Sequence, residues 1–131
     1  HRDLHLSIRR QRQMCIRDRH AIDLKEQGDL RGAVAVLLRL DEDSLRLASV
    51  CALLGYLYWN LEEVEAASGW FRRPVDRNPR SERASLGLFH TLLELDRIDE
   101  AVAEMNRFTR LSDSADYVLI AADLRTRGLI K

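Results

Sequence analysis

The chain has 131 residues, 46% of them hydrophobic and 32% charged, with 21 basic and 21 acidic side chains. This is the composition of one ordinary soluble domain, and a formal net charge of zero provides no global field to recruit nucleic acid or an anionic membrane. The longest apolar stretch, Val50 to Trp59, is far too short to span a bilayer, two cysteines give neither a disulfide framework nor zinc spacing, and two prolines and six glycines favour long elements over many short strands.

The chain opens on a segment that reads as no element at all. His1 to Arg19 carries six arginines (Arg2, Arg9, Arg10, Arg12, Arg17, Arg19) against two aspartates. Such a run ordinarily suggests a flexible arm on phosphates, or a solvated tail. Back-translation gives a better reading. "RRQRQMCIRD", residues 9–18, is one frame of a transposase-based sequencing adapter, CGT CGG CAG CGT CAG ATG TGT ATA AGA GAC. "HRDLH" reads as the end of the flow-cell primer that precedes such adapters, and "LSI" fills the index slot between them. Residues 1–19 are therefore read as a translated adapter scar without function and set aside, and Cys15, His1 and His5 with them. Removing six arginines and two aspartates leaves residues 20–131 with 15 basic and 19 acidic side chains, a net of −4, and one cysteine, Cys51. On this reading the natural N-terminus is missing, no nucleic acid is expected as a partner, and cytoplasmic residence is the default in the absence of an export signal.

From there the chain is punctuated as helices. A short first helix ends at "QGD", Gln27 to Asp29, where a glycine can close it in the left-handed conformation. A second follows from Leu30. The next runs roughly from Ser44 to Asn60, and another covers the segment from Asn60 to Arg77. "NP", Asn78–Pro79, offers a cap and a first-turn proline for a helix from Pro79 to Leu95. One more helix spans Glu94 to Leu111, and "SDS", Ser112 to Ser114, supplies caps for a last helix reaching about Arg127.

Three of these segments align without gaps: "EQGDLRGAVAVLLRLDED" from Glu26, "NLEEVEAASGWFRRPVDR" from Asn60 and "ELDRIDEAVAEMNRFTRL" from Glu94. Ala33, Ala67 and Ala101 fall 34 residues apart, as do Leu30, Val64 and Ile98 before them and Leu37, Phe71 and Met105 after them. A fixed period of this length marks stacked helix hairpins. In the copy from Ala48 to Ser81, Leu54–Gly55, Tyr58, Ala67, Phe71 and Pro79 stand at the signature spacing of the tetratricopeptide repeat (TPR) family, which the chain resembles. Leu88, Leu92, Ala101 and Met105 occupy the matching slots from Glu82 to Ala115, and Ala21, Leu24, Gly28 and Ala33 do so in the copy ending at Leu47. Ile120, Ala121 and Leu124 mark a final half copy. The resemblance implies an all-α, right-handed α-solenoid of antiparallel helix hairpins, with repeats at about 14–47, 48–81 and 82–115 and a half repeat at 116–131. It implies that Gly55 and the recurrent alanine let paired helices approach, while Tyr58 and Phe71 fill the gap towards the next hairpin.

Three residues depart from the pattern. Pro74 lies inside a helix and predicts a kink or an early end near Arg73. Phe89 replaces a small residue and should splay its hairpin or turn its ring into the gap between repeats. Gly69 sits mid-helix, at a cost of about 1 kcal/mol relative to alanine.

No phosphate loop, nucleophile elbow or metal-spaced Cys/His set is present, so no catalytic residue, metal, cofactor or small-molecule substrate is expected and the chain is read as no enzyme. His90 and Glu94, one turn apart, could share a proton or a metal, although a polar helix face accounts for them more simply. Cys51 falls in a core slot and reads as a buried thiol. The resemblance implies instead a scaffold that binds a peptide or partner domain in a concave groove lined by the first helix of each hairpin. Projected onto this sequence, that groove takes Tyr56, Trp59 and Asn60, then Arg83, Leu86, His90 and Glu94, with Arg125 following from the last helix. Trp59 could equally be half-buried against the next hairpin. The family's chaperone-tail binders clamp a terminal carboxylate with a cluster of lysines, arginines and asparagines, which is not reproduced here. The alternative reading is an accessory segment of a larger enzyme or toxin-related protein whose catalytic part lies elsewhere.

Overall fold

The computed structural model describes residues 19–131. The adapter-like segment through residue 18 lies outside the described residues, and so does the opening of the first repeat. The described chain is all helical. α1 (19–26) is followed by α2 (Leu30–Leu38), a one-turn α3 (Glu42–Leu45), α4 (Ala48–Asn60), α5 (Val64–Arg77), α6 (Glu82–Glu94), α7 (Ile98–Leu111) and α8 (Ala115–Thr126). α1/α2, α4/α5 and α6/α7 are the three hairpins, and α8 packs on the last.

The 34-residue period governs the backbone as well as the side chains. Gly28, Glu62 and Asp96 all adopt the left-handed conformation, with φ of 86°, 63° and 61°. In each case the following N–H reaches five residues back: Asp29 to the Leu24 carbonyl at 2.8 Å, Glu63 to Tyr58 at 2.9 Å and Arg97 to Leu92 at 2.9 Å. This is the paired hydrogen-bond closure that ends a helix and turns the chain into its partner. Gly128, with φ of 73°, repeats it at the end of α8, where Leu129 N–H meets the Leu124 carbonyl at 2.9 Å. α8 therefore ends as the first helix of each hairpin does.

The alanines lie where the period places them. Ala33, Ala67 and Ala101 are each 0% exposed, and Leu37, Phe71 and Met105 are buried beside them. One cluster gathers Ala33, Leu37, Val50, Leu54 and Leu57, and a second runs from Ala67 and Phe71 through Leu88, Leu92 and Phe108 to Tyr117 and Leu124. Tyr58 packs against both and joins them into one continuous core. Phe89 is fully buried with its ring edge-on to Tyr117 of α8 at 5.7 Å, so it fills the gap between repeats.

Three boundaries differ from expectation. The helix expected from Ser44 is two elements. Asp41 caps α3 through a 2.8 Å bond from Ser44 N–H, and the extended Leu47 (ψ 136°) interrupts the ladder before α4. The helix expected from Pro79 starts at Glu82 because Asn78 is out of helical conformation and closes a turn with Ser81 N–H, whose side chain then caps α6. α5 does not end at Arg73. It continues through a buried Pro74 to Arg77, and Asn78 N–H closes its last turn on the Pro74 carbonyl at 2.8 Å. The proline removes one bond, to the Trp70 carbonyl, while burial of its ring and of Val75 holds the turn in place.

Candidate binding strip on the first helices of the hairpins

Phe71 organises the site from below. A Cβ on Gly55 of α4 would lie 2.8 Å from its ring and one on Gly87 of α6 only 2.5 Å, so the ring is seated on bare backbone of both helices. Such a fit tolerates no side chain at either position. Tyr56 meets the Phe71 ring edge-on at 5.0 Å and Trp59 does so at 6.3 Å. These two rings stack on each other at 6.3 Å, and His90 stacks on Trp59 at 6.1 Å. Edge-to-face and offset contacts of this kind fix ring orientation as well as burying area.

Polar groups close the strip at both ends. The Trp59 indole N–H donates to Glu94 Oε2 at 2.9 Å, and the Arg83 guanidinium lies 5.3 Å over the Tyr56 ring. Tyr56, Trp59, Leu86 and His90 are half-buried, while Asn60, Arg83 and Glu94 are exposed. Burial holds His90 below its ordinary protonation range, against the pull of Glu94 and Asp116, so the imidazole is neutral near pH 7. Five of the predicted residues, Tyr56, Trp59, Arg83, His90 and Glu94, thus join in one continuous strip across α4 and α6. Asn60 follows Trp59 at the end of α4, and Leu86 packs against the core beneath.

Arg125 is not brought into those contacts. It lines a separate cavity of about 470 Å³ between α7 and α8, with Met105, Tyr117, Val118 and Ala121. Trp59 is half-buried against the next hairpin, with its indole N–H on Glu94 of α6.

Two features went unread in the sequence. Gly87 was the first; a helical glycine without a turn to explain it was the available signal. The second is a buried chain of polar groups behind the strip. Ser85 Oγ donates to Glu104 Oε2 at 2.6 Å, and Tyr117 donates its hydroxyl to Ser85 at 2.6 Å, since the single Ser85 proton is engaged by the carboxylate. Arg107 binds both Glu104 oxygens, at 2.7 and 2.6 Å, and donates on to the Pro79 carbonyl at 2.9 Å. Burial raises the Tyr117 hydroxyl well above its ordinary value, so it stays protonated as the donor. Only the Glu104–Arg107 spacing, one helical turn, was available as a signal in the sequence.

Among the described residues, no group of three or more His, Cys, Asp or Glu is placed to hold a metal ion, and no helix is long and apolar enough to cross a membrane.

No protein-family model matches the chain, and no curated protein matches it. Among solved structures it is similar to the first TPR of Spaghetti (RPAP3) bound to HSP90 peptide SRMEEVD, with a TM-score of 0.75 and 12% sequence identity over 91% of this chain and 98% of that one. At that identity the likeness shows the fold: this chain is an all-α, TPR-like array of helix hairpins.

Proposed function

We propose that the chain is a non-enzymatic scaffold that captures an extended peptide segment of a partner protein along the strip formed by α4 and α6. The observation that carries this is the continuous run from Arg83 through Tyr56 and Trp59 to His90 and Glu94, in which Phe71 holds the Tyr56 and Trp59 rings while the Arg83 and Glu94 side chains at its two ends are exposed. Rigid aromatic surface with a cation at one end and a carboxylate at the other suits a peptide that inserts an apolar side chain and is oriented by its polar groups. The solved structure with this fold holds a peptide, which supports the class of partner. Its particular peptide is not assigned here, because the strip pairs one arginine with one glutamate and lacks a basic cluster for an acidic tail.

Peptide display against the whole chain, followed by titration of the selected peptides with tryptophan fluorescence, tests this. Arg83→Ala and Asn60→Ala, both at exposed side chains, should each weaken capture by about tenfold, or about 1.4 kcal/mol, while the melting temperature stays within about 2 °C. Peptides whose affinity ignores both substitutions would place binding elsewhere.

A further inference from the structure

A second concentration of charge lies away from the strip. Leu45 at the end of α3, Arg46 just after it, and Arg73, Asp76 and Arg77 in the last turns of α5 line a cavity of about 290 Å³. Three arginines line it against one aspartate, a local excess of positive charge in a chain whose formal net charge is zero. All three arginines are exposed, and none enters the salt bridges found among the described residues. Arg73 is already positioned, its guanidinium 4.2 Å over the Trp70 ring. Stacking uses the face of the guanidinium and leaves its N–H edge to donate.

We propose that Arg46, Arg73 and Arg77 form a binding site for a phosphate dianion. A dianion with three acceptor oxygens matches three donor forks in charge and number, whereas a single carboxylate leaves one fork unused. Asp76 keeps the site from being a featureless basic patch, since it disfavours anions that cannot gather all three arginines. Burial holds the Cys51 thiol above its ordinary value, and Arg73 and Arg77 are the charges that oppose it. The site shares no residue with the strip and stands independently of it.

The test is a titration of the whole chain with inorganic phosphate and with a phosphoserine peptide, at constant ionic strength set by sodium chloride, following the arginine Nε–H resonances by NMR. Saturable shifts at Arg46, Arg73 and Arg77 are expected, strengthening as the pH rises through the loss of the second phosphate proton, at about 6 for the phosphoserine peptide and higher for inorganic phosphate. The double variant Arg46→Gln/Arg77→Gln should weaken binding at least fivefold, and Arg110→Gln, outside the cavity, should leave it unchanged. Tighter binding of the peptide than of free phosphate would assign the phosphate to a polypeptide, and equal binding would assign it to a free anion. The proposal is overturned if phosphate shifts these resonances no more than chloride does, a reading made on the unsubstituted chain and so independent of how the variants fold.

Discussion

Two helical glycines with the same intrinsic cost have opposite roles. Gly69 has nothing within 4 Å of where a Cβ would stand, whereas a Cβ on Gly87 would lie 2.5 Å from the wholly buried Phe71 ring. Gly69→Ala should therefore stabilise the protein by about 0.5–1 kcal/mol. Gly87→Ala should destabilise it by about 1–3 kcal/mol, because the ring has no room to move; paired urea melts give both signs, and Trp59 fluorescence should change only in the second. His90 sets a pH dependence. Its folded value is lowered by burial, so the unfolded chain takes up the proton first. Stability from this group is complete above the unfolded value of 6.5 and is lost as the pH falls below it, through the lowered folded value. The melting temperature of the unsubstituted chain should fall more steeply from pH 7.5 to 5 than that of His90→Asn; parallel curves would show that His90 carries no such linkage.

At the scale of the element, the turns between paired helices are one device used with different residues. Gly28 takes the left-handed conformation freely, while Glu62 and Asp96 hold φ of 63° and 61° with side chains that pay for it. Glu62→Gly should stabilise the α4/α5 hairpin by about 0.5–1 kcal/mol in thermal or urea unfolding, and Asp96→Gly by less, since aspartate tolerates this region better than glutamate. A loss of stability at Glu62→Gly would mean that the side chain, and not the turn, matters there. Pro74 belongs to the same scale. Its sequence signal was local and correct as chemistry, since one carbonyl loses its partner. The helix nevertheless continues, because the buried Pro74 and Val75 fix the next turn.

For the whole molecule, the polar chain from buried Tyr117, Ser85 and Glu104 to half-buried Arg107 ties α6, α7, α8 and the Pro79 turn together. Removing its central acceptor leaves Arg107 and Ser85 with unmet donors, so Glu104→Ala should destabilise the protein by about 2–4 kcal/mol. Tyr117→Phe, which deletes one terminal hydroxyl and keeps the ring packed on Phe89 and Phe108, should cost only about 1 kcal/mol. Urea denaturation of both variants checks the ratio; equal losses would mean that the network is not centred on Glu104.

The sequence by itself determined the helices, their pairing and the period of 34, because alanines, large apolar residues and turn residues recur at fixed intervals and each interval has a backbone meaning. The groove residues came from the family resemblance projected onto that period, and of them Tyr56, Trp59, Arg83, His90 and Glu94 lie in contact across α4 and α6. Contacts between helices were decided only by the tertiary structure. Phe71 seated on Gly55 and Gly87, the Trp59–Glu94 bond, the Ser85–Glu104–Tyr117 chain and the gathering of Arg46 with Arg73 and Arg77 join residues up to 35 positions apart. Their partners are set by how the hairpins stack and rotate against one another, and side-chain volumes at the crossing points fix that rotation. Arg125, which the resemblance added from the last helix, lines the cavity between α7 and α8.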